Sequence, residues 1–212
     1  MQMILIRKKK AIIIFSVVFL LWIFFILKIH SFLALTKPVP AQLLVVEGWL
    51  YDRPALSDVF EEYNTGNYEL LVVVGKPYKG ASIQFTGLTT ADIVSQELIK
   101  KGIDQQYIVV LPVPSIKRHR TLTKGLAVEK WIVESGKKIT AINVFTIGVH
   151  ARKSQLLFQK ALGPSIDVGI IAGKEVLYER SYWWLSPDGI RIVSRNVFGY
   201  IYALLIFTLY HG

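Results

Sequence analysis

The chain has 212 residues, 52% of them hydrophobic, with a formal charge of +10 and no cysteine. That length allows one main domain of about 150–180 residues plus an accessory segment. Disulfides, thiolate metal sites and cysteine nucleophiles are excluded, and the positive charge favours an anionic surface or ligand.

Arg7, Lys8, Lys9 and Lys10 precede residues 11–27, which carry no charge. A spanning helix needs about 20 apolar residues, and snorkelling of Lys28 and His30 lets the run continue to Leu35. Phe32-Leu33-Ala34 does not make a cleavage site of the small-residue kind. The expectation is an uncleaved anchor over 11–35 behind a basic segment, 1–10, that stays cytoplasmic. Everything after residue 35 then lies outside the cytoplasm, as in a single-pass protein of the cell inner membrane. Arg7, Lys8, Lys9, Lys10 and Lys28 belong to the anchor and no acid precedes Glu47. The folded part therefore keeps about +5. Membrane lipid and anionic ligands suit it as partners, whereas nucleic acid does not.

Residues 36–41 hold Pro38 and Pro40 and read as a stiff spacer. A buried strand over 42–46 ends at Glu47-Gly48. Pro54 opens a helix with Leu56, Val59, Phe60 and Tyr63 on one face, closed by Asn64 and Gly66. The second strand, 68–74, ends at Gly75. A polar loop over 76–87 leads to a helix from Thr89 or Thr90 that buries Ala91, Val94 and Leu98 and finishes on Lys100-Lys101-Gly102. A third strand covers 107–111. Thr121 is expected to cap the next helix, which runs to Gly136 and buries Leu122, Leu126 and Trp131.

The run Ile142-Asn143-Val144-Phe145-Thr146-Ile147-Gly148 reads as a central parallel strand breaking at a glycine. A helix with Leu157, Phe158, Ala161 and Leu162 follows, and then a fifth strand at 166–172. Regular alternation of this kind predicts an α/β fold: a Rossmann-like, doubly wound, mostly parallel sheet of about five strands over 42–185. Ser186-Pro187-Asp188 starts a last helix within 186–212. Its segment 197–210 is apolar all round and, at fourteen residues, too short to span. With Trp183, Trp184, Tyr200, Tyr202 and Tyr210 it reads either as membrane-interfacial or as packed on the core.

Polar features gather at or just past strand ends: Glu47-Gly48, Gly75-Lys76, the loop Lys117-Arg118-His119-Arg120-Thr121, His150, and Arg152-Lys153. In a doubly wound sheet these loops converge on one crevice. Helix N-termini and arginine forks there suit phosphate or carboxylate. Glu47 and His150 are the candidate acid/base groups. Gly48, Gly75, Lys76, Arg120, Thr121 and Arg152 are the candidate ligand-binding residues. Gly75-Lys76-Pro77-Tyr78-Lys79-Gly80 starts like a phosphate-binding loop, but Ala81-Ser82 stands where Lys-Ser/Thr is required. Histidines occur only at 30, 119, 150 and 211, so no histidine-based metal site is expected.

Val45-Val46-Glu47-Gly48-Trp49, the strand ending Val74-Gly75, Arg120-Thr121 and Gly148-Val149-His150-Ala151-Arg152-Lys153-Ser154 together resemble the YdcF/SanA/ElyC-like family. The resemblance covers about 42–172 and implies a Rossmann-like domain. It also implies a membrane-anchored role in the bacterial envelope, in peptidoglycan or lipid-carrier metabolism, with an anionic, lipid-linked phosphate ligand. One soluble member is associated with S-adenosylmethionine. This chain departs from the family's paired glycines after the first two strands, having Glu47-Gly48 and Gly75-Lys76. Two other expectations stand beside a ligand-processing domain: a non-catalytic scaffold for envelope proteins, and an S-adenosylmethionine binder.

Overall fold

The computed structural model describes residues 2–50, 54–78 and 87–209. A five-stranded, all-parallel sheet forms the centre, in the order β3-β2-β1-β4-β5. Its strands are β1 (Leu43–Glu47), β2 (Leu70–Gly75), β3 (Ile108–Pro112), β4 (Ala141–Ile147) and β5 (Asp167–Gly173). The expected α/β architecture is thus the observed one, with strand ends moved by a residue or two.

Strand side chains alternate between two cores. Leu43, Val45, Val72, Val74 and Val144 pack with Val128, Ile132, Phe158 and Leu162 of α4 (Arg120–Ser135) and α5 (Ala151–Leu162). Leu44, Val46, Leu71, Val73 and Phe145 pack with Leu56, Val59, Val94 and Leu98 of α2 (Ala55–Thr65) and α3 (Thr90–Lys100). Near-continuous apolar strands are what a sheet covered on both faces requires. Each fully buried valine or leucine contributes about 1.5–3 kcal/mol.

Thr89 caps α3 in a reciprocal box with Asp92. Thr121 caps nothing: α4 starts at Arg120 with His119 before it at φ +55°. The buried face of α4 is Thr121, Lys124, Gly125, Val128 and Ile132; of the expected residues, Trp131 packs partly buried on the core, Leu122 lines the cavity, and Leu126 points to solvent at 47% exposure. The reason is the close seat of α4 on α5. A Cβ on Gly125 would meet the Ala161 Cβ at 2.7 Å, so this small residue sets the contact line.

The N-terminal helix α1 (Gln2–Leu33) contains one candidate membrane span, Ile12–Leu33. Its middle is exposed and apolar, for example Phe15, Leu20 and Phe24. Its last turns dock on the domain: Ile29, His30 and Leu33 are buried beside Val149, Tyr178, Trp183, Ile192 and Val193. His30 therefore does not snorkel, because Tyr178 OH meets its Nε2 at 3.1 Å inside the protein. Beyond the helix, Lys37 bridges to Ile170 on the edge strand β5.

The final helix α6 (Pro187–Leu209) has 23 residues, and Pro187–Ile206 is long and apolar enough to span by length and composition. The expected helix start at Ser186-Pro187-Asp188 is the observed one, and the candidate span is longer than the fourteen all-round apolar residues because it takes in the first half, which carries Asp188, Arg191 and Arg195. Of the segments singled out in the sequence, 79–86 in the polar loop and 210–212 in the tail lie outside the described residues.

Candidate functional site

The chain runs from β1 out to β2 and β3 and then returns to β4 on the other side of β1. The loops after β1 and β4 part there, which opens a crevice at the carboxyl ends of the strands. A cavity of about 520 Å³ occupies this position, between the strand ends, the 113–121 loop and α6.

Glu47 closes β1 and is wholly buried. Its Oε1 accepts from Lys124 Nζ at 2.9 Å, and its Oε2 accepts from Thr146 Oγ1 at 2.7 Å and Ser154 Oγ at 3.1 Å. Burial alone would raise this carboxyl. The Lys124 ammonium and the hydrogen bonds overcome it and hold the group well below the usual carboxylate range. With both oxygens occupied and proton affinity suppressed, Glu47 is a weak base. It fixes Lys124 under the cavity instead.

His150 ends a short helical turn, Gly148–His150, whose glycine takes φ +47°. Its Nδ1 lies 3.0 Å from Asn196 Oδ1, while Asn196 Nδ2 donates to the Ile192 carbonyl at 2.9 Å. The amide oxygen therefore faces the ring, and Nδ1 carries the proton. Nε2 stands 3.6 Å from Glu47 Oε2, too far for a hydrogen bond. Burial lowers the imidazole to about 4 against the opposing pull of Glu47. The ring is neutral near pH 7, with its lone pair on Nε2. Trp49 packs edge-on against it at 5.7 Å.

Around these groups, Lys76, Lys117, Arg120, Lys124, Lys153 and Arg195 face two carboxylates among the described residues, Glu47 and Glu175. Arg120 and Lys124 are one turn apart on α4, and Lys153 is in the first turn of α5. No side chain caps either helix start. Cations are disfavoured at positive helix ends, whereas an anion is favoured there. Burial lowers Lys153 to about 8; Glu47 opposes the shift, and Arg195, Arg120 and Lys124 add to it. Such crowding of like charge is relieved by a bound oxyanion.

The far wall is mainly apolar, with Arg195 and Asn196 as polar members. Ile192, Asn196, Gly199, Ala203 and Ile206 line the cavity from α6 at alternating spacings of four and three, which is one helix face. Its opposite face presents Phe198 at 71% exposure, with Ile201 and Leu205. His119 stacks on Tyr202 at 6.3 Å where α6 meets the 113–121 loop.

Of the residues singled out in the sequence, Glu47, Lys76, Arg120, Thr121 and His150 border this cavity. Gly48 and Gly75 are not part of its lining. They allow backbone contact instead: a Cβ on Gly75 would meet the Ala91 nitrogen at 2.2 Å, and one on Gly48 the Gly75 Cα at 3.0 Å. Arg152 lies elsewhere. Its Nε donates to the Phe32 carbonyl and its guanidinium sits 3.9 Å from the Phe32 ring centroid, clasping α1 to α5. Successive helical residues point about 100° apart, so Lys153 enters the cavity and its neighbour cannot.

Sequence reasoning missed Lys124, Arg195 and Asn196. Lys124 follows Arg120 by four, a spacing that marks one helix face. Arg195 and Asn196 interrupt an otherwise apolar run, the pattern that marks a polar task on a buried helix face. The assembled groups can hold an oxyanion and accept a proton at His150 Nε2.

No protein-family model matches the chain, and no curated protein matches it either.

Proposed function

We propose that this is a membrane-anchored, extracytoplasmic α/β protein, similar to the YdcF/SanA/ElyC-like family, that binds or processes a phosphate-bearing, lipid-linked ligand in cell-envelope biogenesis. The observation that carries the reading is the cavity itself, with Lys76, Lys117, Arg120, Lys124 and Lys153 on one side and, on the other, α6, which adds Arg195 and the apolar Ile192, Ala203 and Ile206. A phosphate fits the cationic half, where arginine forks and lysines supply charge-assisted hydrogen bonds. An alkyl chain fits the half lined by Ile192, Ala203 and Ile206. His150 is the proton acceptor, and Arg120, Lys124 and Lys153 neutralise developing charge on the phosphate oxygens.

The test is calorimetric titration of the full chain in neutral detergent with decyl phosphate, decanol and inorganic phosphate. Decyl phosphate is expected to bind tightest, and more tightly at pH 7 than at pH 9, because Lys153 is charged only below about 8. Arg120→Ala and Lys153→Met each weaken it by about tenfold or more, in line with the loss of one charge-assisted bond. Arg152→Ala leaves it unchanged, since that side chain is occupied by Phe32. Decanol binding as well as decyl phosphate, or cavity variants binding like wild type, would overturn the reading.

A further inference from the structure

A second hollow, which shares no lining residue with the cavity, lies where α1 meets the domain. It has a volume of about 240 Å³ and is bordered by Leu27, His30 and Ser31 of α1 and by Arg180, Ser181, Trp183 and Trp184 of the helical turn Arg180–Leu185. Arg180 NH2 donates to Ser31 Oγ at 3.1 Å, and Trp183 Nε1 donates to the Ile26 carbonyl at 3.3 Å. These contacts fix the turn against the helix, so the hollow is built rather than incidental.

One wall residue has an unpaired atom. His30 is 4% exposed, and its Nδ1 is buried with no hydrogen bond, although its Nε2 meets Tyr178 OH. A buried polar atom left unpaired costs about 1–3 kcal/mol. Arg180 is exposed, and its fork is engaged only at Ser31 among the contacts described. A guanidinium and two hydroxyls around one hollow, Arg180, Ser31 and Ser181, make a set that suits a phosphate.

Position selects the source of that phosphate. From Lys10 to His30 is about 20 residues, or about 30 Å of helix, which is the thickness of a bilayer core. Between them α1 is exposed and apolar. The hollow therefore stands at the outer end of the candidate span Ile12–Leu33, where the bilayer core gives way to headgroups, on the membrane face opposite the basic cluster. Tyr182, Trp183 and Trp184 form a connected aromatic group at the same level, as residues of an interfacial belt do.

We infer that the hollow between α1 and the Arg180–Leu185 turn binds the phosphate headgroup of an anionic bilayer phospholipid. Arg180 and Ser31 hold the phosphate, and the indoles flank the glycerol region. The bound lipid completes the joint between anchor and domain, so it sets how firmly the domain is seated on the membrane. The inference rests on α1 spanning the bilayer and not on the ligand of the large cavity.

The experiment uses the full chain in neutral detergent, with thermal unfolding followed as phosphatidylglycerol, phosphatidylcholine or glycerol phosphate is added. Native mass spectrometry reads the retained lipid. Phosphatidylglycerol is expected to raise the midpoint and to remain bound at one copy per chain, whereas the other two have little effect. Arg180→Ala weakens the half-saturating lipid fraction by about tenfold, and Arg120→Ala in the large cavity does not change it. Equal stabilisation by phosphatidylcholine, an undiminished response in Arg180→Ala, or a full response to glycerol phosphate would each overturn the assignment. Loss of the response in Arg120→Ala would do so too, by placing the lipid in the large cavity.

Discussion

His150 Nδ1 and Asn196 Oδ1 stand 3.0 Å apart, joining the turn after β4 to the inner face of α6. Because Asn196 also orders its own amide on the Ile192 carbonyl, one side chain fixes both the tautomer of His150 and the seat of α6. Asn196→Leu removes that acceptor, and the ring then carries its proton on Nε2, facing Glu47. Nitrogen chemical shifts of labelled histidine should show Nδ1–H in wild type and Nε2–H in the variant. An unchanged pattern would mean that Asn196 does not set the tautomer. The same histidine gives a pH signature. Its folded value is lowered from 6.5 to about 4, so the unfolded chain takes up the proton first. Its share of stability is present above pH 6.5 and is lost as pH falls to about 4, at up to ~3 kcal/mol. Urea unfolding across that window should show the decline in wild type and a flatter profile in His150→Phe.

Glu47 and Lys124 form a buried pair at 2.9 Å. Removing one partner strands the other away from water. Glu47→Ala is expected to cost about 3–5 kcal/mol, and Glu47→Gln somewhat less because the Thr146 and Ser154 hydroxyls keep an acceptor. Combining Glu47→Gln with Lys124→Met should recover part of the loss, since no unpaired charge remains. Denaturant midpoints on the three variants check this. A double variant no better than Glu47→Gln alone would show that the hydroxyl network, not the ion pair, dominates.

The orientation proposed for the anchor rests on Arg7, Lys8, Lys9 and Lys10 ahead of the exposed apolar span. A reporter that works only outside the cytoplasm, fused after Ser186 and so ahead of the second candidate span, should be active. Replacing the four cations by serine should lower the signal. Activity of a cytoplasm-only reporter at the same position would reverse the topology.

The sheet was legible in the sequence because its strands carry near-continuous apolar runs that end at glycine or proline. The apolar N-terminal helix, long enough to span a membrane, was legible for the same reason, in its length and its lack of charge over 12–27. Glu47, Lys76, Arg120, Thr121 and His150 were within reach too, because a doubly wound sheet brings loops at strand ends together whatever else the chain does.

Tertiary packing decided the rest. Arg152 and Lys153 are equivalent in the sequence, yet the helix turn sends one to Phe32 and the other into the cavity. Glu47 reads as an acid/base, and only its three partners show a carboxylate with no free oxygen. Asn196 lies 46 residues from His150, and Lys124 lies 77 from Glu47. Such pairings depend on how helices cross the sheet, and short-range periodicity carries no record of that. The sequence determined that there would be a crevice and that it would be basic. Which side chains face one another across it, and that α6 closes it with an apolar wall, follows from packing between elements far apart in the chain.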